Sequence, residues 1–246
     1  MKHIALLGVL VAAFTTHESI AQVTASDTTL LAASIGQASS LYHATFANSS
    51  LYNGPQYVFY TKLARKTEGN PYFETDQFRP GTIVYSNNRY DGIPLLYDTR
   101  LDQLVVQHPS STLFMSLISP QVNSFTVNGH QFAYYPGNST VEMPATAGFY
   151  EVLLAGKNAL LGRYTKTMAK RARNNIVEYT FQDKTRYYVY TGQGYYPVSS
   201  AGSLAKVFPD HKKQIQQFAK EHKLAFSKDS RAASLASLVA YTNTLQ

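Results

Sequence analysis

The sequence predicts a mainly β protein with α: an antiparallel sheet, arranged as a sandwich or an incomplete barrel, with two C-terminal helices packed on it. Three observations carry this. Short β-branched and aromatic runs, separated by turn formers, fill the chain from Tyr57 to Val198. An Asn128-Gly129 pair lies between two such runs, and a type I′ hairpin turn requires φ > 0 at both central positions. After Ala201 the apolar residues recur at three and four positions instead of two.

The elements come in order. Residues 1–21 have a positive start (Met1, Lys2, His3), an apolar run from Ile4 to Phe14 and small residues, Ser19 and Ala21, before Gln22. This is the layout of a secretory signal. Its 11 apolar positions fall short of the roughly 20 that span a bilayer. Residues 22–50 read as a mobile tail and a short helix, from the helix-like spacing of Ile35, Ala38, Leu41 and Tyr42.

Residues 51–200 form the antiparallel β domain. Its runs are Tyr57–Tyr60, Thr82–Tyr85, Leu95–Tyr97, Leu104–Val106, Leu113–Ile118, Ser124–Val127, Gln131–Tyr134, Phe149–Leu154, Ile176–Phe181 and Arg186–Tyr190. Asp91-Gly92 reads as a tight turn between two of them, and Gly192-Gln193-Gly194 reverses the chain into Tyr195–Val198. Most connections are too short for helical crossovers, so neighbours are antiparallel.

Residues 201–246 are the helical cover. Ser203 is placed to cap a short turn through Phe208; Pro209 then opens a helix with Asp210 in its first turn. Ile215, Phe218 and His222 mark its packing face. A second helix starts near Asp229 and repeats Ala232, Leu235, Leu238 and Val239.

Composition sets the class. The chain of 246 residues is 44% apolar and 15% charged, which excludes intrinsic disorder, collagen and coiled coil. Cysteine is absent, so the core alone must hold the fold, and attachment through an acylated cysteine is excluded. The net charge of +7 is uneven: residues 22–150 carry six Lys/Arg against eight acids, and residues 151–246 carry fifteen against six. That asymmetry reads either as a solubility charge without a dedicated partner or as a face that meets an anionic surface, such as lipopolysaccharide, an acidic glycan or a negative protein, with nucleic acid placed behind these.

Leu51-Tyr52-Asn53-Gly54, the segment from Gly81 through Tyr85 to Tyr90, Pro94 and Asp98, Gly148-Phe149-Tyr150 and the tail Lys206-Val207-Phe208-Pro209-Asp210 resemble uncharacterised exported β-rich proteins common in Bacteroidetes. The resemblance implies a bacterial envelope address, periplasmic or extracellular. It carries over no functional residue.

No nucleophile elbow, zinc-protease pair, P-loop or dinucleotide fingerprint occurs. No cofactor is therefore expected, and the balance tilts towards a binding or structural module, with a secreted hydrolase of envelope glycan or lipid as the alternative. Asp98 and Asp102, flanking Arg100, are the catalytic candidates, since paired carboxylates do general acid and base work. Their spacing equally suits a hairpin turn held by polar contacts. The five histidines outside the leader lack ligand spacing: His211 and His222 sit about 16 Å apart along one helix at 1.5 Å per residue. No metal site is expected.

Arg163, Lys166, Lys170, Arg171 and Arg173 are the binding candidates, read as an exposed loop between strands, with Lys184 and Arg186 close behind in the chain. Tyr187, Tyr188, Tyr190, Tyr195 and Tyr196 lie beside them. Alternation along a strand sends Tyr187 and Tyr188 to opposite faces, so part of this cluster must be core.

Overall fold

A computed structural model describes residues 31, 34–35, 48–137, 146–173 and 176–245. The expected leader at 1–21 and most of the expected tail and short helix at 22–50 lie outside the described residues. The chain divides at Ala47/Asn48, and the sheet and its helices all belong to the second unit.

One turn of helix, Asn48–Leu51, precedes eleven strands: β1 Lys66–Glu68, β2 Arg79–Tyr85, β3 Asn88–Asp98, β4 Gln103–Gln107, β5 Phe114–Ser116, β6 Val122–Val127, β7 His130–Tyr135, β8 Gly148–Leu154, β9 Ala159–Arg173, β10 Ile176–Tyr190 and β11 Tyr195–Val198. They form one open sheet in the order β1-β10-β9-β8-β7-β6-β2-β3-β4-β5, with β11 also on β10. Every pairing is antiparallel except β1 with β10.

The sheet is strongly rolled. β3 and β9 stand five positions apart in the strand order, about 24 Å in a flat sheet at ~4.8 Å per strand. Yet Asp102, in the β3–β4 turn, is 2.9 Å from the Arg163 guanidinium of β9. Rolling gathers aromatic rings from distant strands inside: Tyr97, Phe125, Phe132 and Phe149 meet at centroid distances of 4.8–5.7 Å. Phe73, from the segment between β1 and β2, lies edge-on against Phe132 and Tyr164.

Three C-terminal helices, α1 Ala201–Val207, α2 Lys212–Glu221 and α3 Arg231–Thr244, bury Leu204, Ile215, Leu235, Leu238 and Val239 against Leu160, Tyr187 and Val189 of the β9–β10 ribbon. The stretch read as a turn through Phe208 is thus a short helix. Ser200 is its N-cap, and Ser203 sits at N3, completing a capping box. His222 is exposed at the end of α2, tilted against Phe218, because the buried side of α2 is made by Ile215 and Ala219.

Three expected elements differ. Tyr57–Tyr60 is no strand: Gln56 makes one bridge to Met115 and Tyr60–Leu63 is a 3₁₀ turn, because the Tyr57 and Tyr60 hydroxyls both bend down to Asp98. Asp91-Gly92 lies inside β3, at a bulge opposite Gly81. The β2–β3 reversal occurs at Ser86-Asn87, whose φ values of 49° and 65° fit a type I′ turn. The basic run is strand, not loop: β9 pairs with β10 at all fifteen positions from Ala159↔Tyr190 to Arg173↔Ile176. Asn128-Gly129 and Gly192–Gly194 turn the chain as their residues require.

Phe149 is fully buried among three rings, Tyr97, Phe125 and Tyr134. Phe149→Ala should cost about 3 to 5 kcal/mol in urea unfolding, and a cost under about 1 kcal/mol would place it outside the core.

Candidate functional site

The two catalytic candidates are committed to the fold. Asp98 is fully buried. One carboxylate oxygen accepts from Tyr57 (2.7 Å) and Tyr60 (2.9 Å), and the other from the backbone N–H groups of Arg100 and Leu101. Four donors fill a carboxylate's acceptor sites. Asp102 accepts from Tyr97 (2.7 Å) and pairs with Arg163 (2.9 Å). Burial, then the Asp102 charge, pushes the Tyr97 phenol well above its ordinary range, so it serves as donor. The two carboxylates therefore have separate partners and close the β3–β4 turn.

The five binding candidates divide. Arg163 is largely buried, donating to the Phe149 and Ala147 carbonyls besides pairing with Asp102. Its guanidinium leaves no room at Gly148, where an added Cβ would come within 2.1 Å of Arg163 and 2.0 Å of Asp102. Lys166 pairs with Asp183 at 3.3 Å. Lys170 and Arg171 are exposed, and neither makes an ion pair among the described residues. The backbone of Arg173 ends β9; its side chain lies outside the described residues.

Strand pairing assembles what the linear sequence separates. Arg163 stands directly opposite Arg186, Thr165 opposite Lys184 and Leu161 opposite Tyr188, so these side chains share the outer face, away from the helices. Lys184 and Arg186 are exposed. A groove of about 140 Å³ runs here, lined by Arg163, Lys184 and Arg186 with Tyr150 and Tyr188, and by no acid among the described residues. Tyr150 lies under Arg163 at 5.0 Å. From Tyr150 a band of rings continues through Tyr135 to Tyr195 and Tyr190. Tyr187, as alternation requires, is buried on the opposite face.

That inner face holds a larger cleft, about 450 Å³. Within it the His130 Nδ1 is 2.5 Å from buried Glu151, and its Nε2 is 3.2 Å from Glu74. Tyr164 donates to the other Glu151 oxygen; burial, then this bond, pushes its phenol up. Glu74 has φ of 57° and accepts from Asn128. Opposite, Asp183 lies between Lys166 and Lys228. Burial would raise its carboxyl, but the Lys228 bond and the Lys166 charge outweigh it and hold it low. Each of these groups thus has a partner in the cleft, whereas Asp229, also on its wall, makes no ion pair among the described residues. Among the described residues no three His, Asp or Glu are placed to hold a metal ion.

Sequence reasoning missed His130, Glu151 and Tyr164. Only the pairings Phe132↔Glu151 and Glu151↔Gly162 bring them together, and no local spacing signals it.

No protein-family model, curated protein or solved structure matches this chain. No helix among the described residues is long and apolar enough to cross a membrane.

The His130 clasp pins the Phe73-Glu74 segment onto the sheet. His130→Ala should cost about 1.5 to 3 kcal/mol, the range for hydrogen bonds to charged groups. Glu74→Gln, at a half-exposed carboxylate, should cost under about 1 kcal/mol. Urea unfolding of both variants checks this contrast; equal losses would contradict the clasp.

Proposed function

We propose that this is an exported envelope protein that binds an anionic partner through the outer face of the β9–β10 ribbon. The observation that carries the reading is the Arg163–Arg186 opposition with Lys184 diagonal to it and no acid lining the groove. Like charges directly opposite on neighbouring strands are destabilising, and Asp102 compensates only Arg163. The surplus at Arg186 and Lys184 is available to a ligand. The charge excess of residues 151–246 supports the same reading, and the signal-like first 21 residues and the resemblance to exported proteins support the envelope address.

A second reading, a hydrolase of envelope glycan or lipid, draws on the inner cleft rather than on Asp98 and Asp102. There a buried carboxylate orients the His130 imidazole, an arrangement that general bases share. It ranks behind binding because Glu74 already occupies the other ring nitrogen.

Retention on immobilised heparin across a salt series tests the binding reading. The variant carrying K184S and R186S should elute at clearly lower salt, with a flatter salt dependence, and an unchanged circular dichroism spectrum. Arg163 and Lys166 are left intact because they hold structural pairs. A parent protein that flows through at low salt, or a variant eluting with the parent, overturns the proposal.

A further inference from the structure

We propose that the groove between Lys184, Arg186 and Tyr188 is a subsite for an acidic saccharide unit, a sugar ring bearing a carboxylate or sulfate; the proposal rests on the anionic-partner reading above. Successive same-face residues of β10 are Lys184, Arg186, Tyr188 and Tyr190, two cations followed by two tyrosines. An anionic group meets Lys184 and Arg186, and the ring that carries it extends towards Tyr188.

The packing of the tyrosines selects a sugar over a nucleobase. Tyr188 meets Tyr150 at 71°, Tyr150 meets Tyr135 at 80°, and Tyr135 meets Tyr195 at 76°. Each such edge-to-face contact covers one face of one of its two rings, which leaves fewer faces open. Base stacking needs open faces; a hydroxyl-rich ring needs hydrogen-bonding rims such as those of half-buried Tyr188 and Tyr190. Thr165 and Thr146 add polar groups to the groove wall.

The other exposed cations have a different explanation. On its β8 side β9 pairs only through Gly162, so among the described residues its remaining length to Arg173 is a free edge. Lysine and arginine on free edges oppose edge-to-edge association, which accounts for Lys170 and Arg171. Edge protection works from any position along a strand and does not call for a cation directly opposite Arg163.

The test is calorimetric titration with a short oligogalacturonate, alongside an oligothymidylate of equal charge. The full chain should bind the oligogalacturonate. K184S/R186S should lose about tenfold or more in affinity, as expected for charge-assisted contacts, whereas K170S/R171S should lose less than about threefold. Tyr188→Phe, which keeps the packing on Tyr150, should lose about threefold through one hydrogen bond. Equal losses for the two double variants, or oligothymidylate binding as tightly as the glycan, would overturn the subsite. Heparin retention separates the failures: retention without groove-dependent glycan binding sinks the subsite alone, and absent retention sinks the anionic-partner reading itself.

Discussion

The Asp102–Arg163 pair joins strands that a flat sheet would keep far apart, and the rolled shape depends on contacts of this reach. Asp102 is fixed at the β3–β4 turn with φ of 56°, and Arg163 is fixed by two carbonyls at the start of β8. Geometry more than energy is at stake, since desolvating such a pair offsets much of its attraction. The aromatic rings supply the energy. Tyr97 connects the two: its hydroxyl donates to Asp102 while its ring packs on Phe125, Phe132 and Phe149.

Rolling also sorts the two faces of the β9–β10 ribbon. Inside, Tyr187 and Val189 are sealed by the helices, His130 lies between Glu74 and Glu151, and Lys166 and Lys228 share Asp183. Outside, Arg186 and Lys184 face Arg163 with no acid lining the groove between them. A cavity's size alone would favour the inner cleft. Charge balance favours the outer groove, because satisfied ion pairs must be broken before they can recognise a ligand.

The range of the physics involved decides which features are legible in the sequence. The Asn128-Gly129 hairpin, the Gly192–Gly194 reversal and the split of Tyr187 from Tyr188 are local, set by φ preference and strand alternation. The β2–β3 turn is not, because Asp91-Gly92 carries the stronger turn signal, and the pairing Tyr85↔Asn88 places the reversal at Ser86-Asn87 instead. β9 reads as a loop because its second half, Lys166 to Arg173, lacks an alternating apolar face; it is held instead by backbone pairing with β10. His130 and Glu151 are 21 residues apart in sequence and meet through the β7–β8 register, which no local pattern encodes.

The Asp98-x-x-x-Asp102 spacing shows why a pattern of residue types underdetermines chemistry. Two carboxylates four residues apart would act as an acid–base pair only if they faced one space. Here a positive φ at Asp102 turns the chain, so Asp98 points to Tyr57 and Tyr60 while Asp102 points to Tyr97 and Arg163. Each carboxylate then anchors a different layer to the same turn, Asp98 the 3₁₀ segment at Tyr60 and Asp102 the start of β8. The short connection between β3 and β4 therefore fixes both the outer cover at that end of the sheet and the position of Arg163. Through Arg163, it also sets where the basic groove begins.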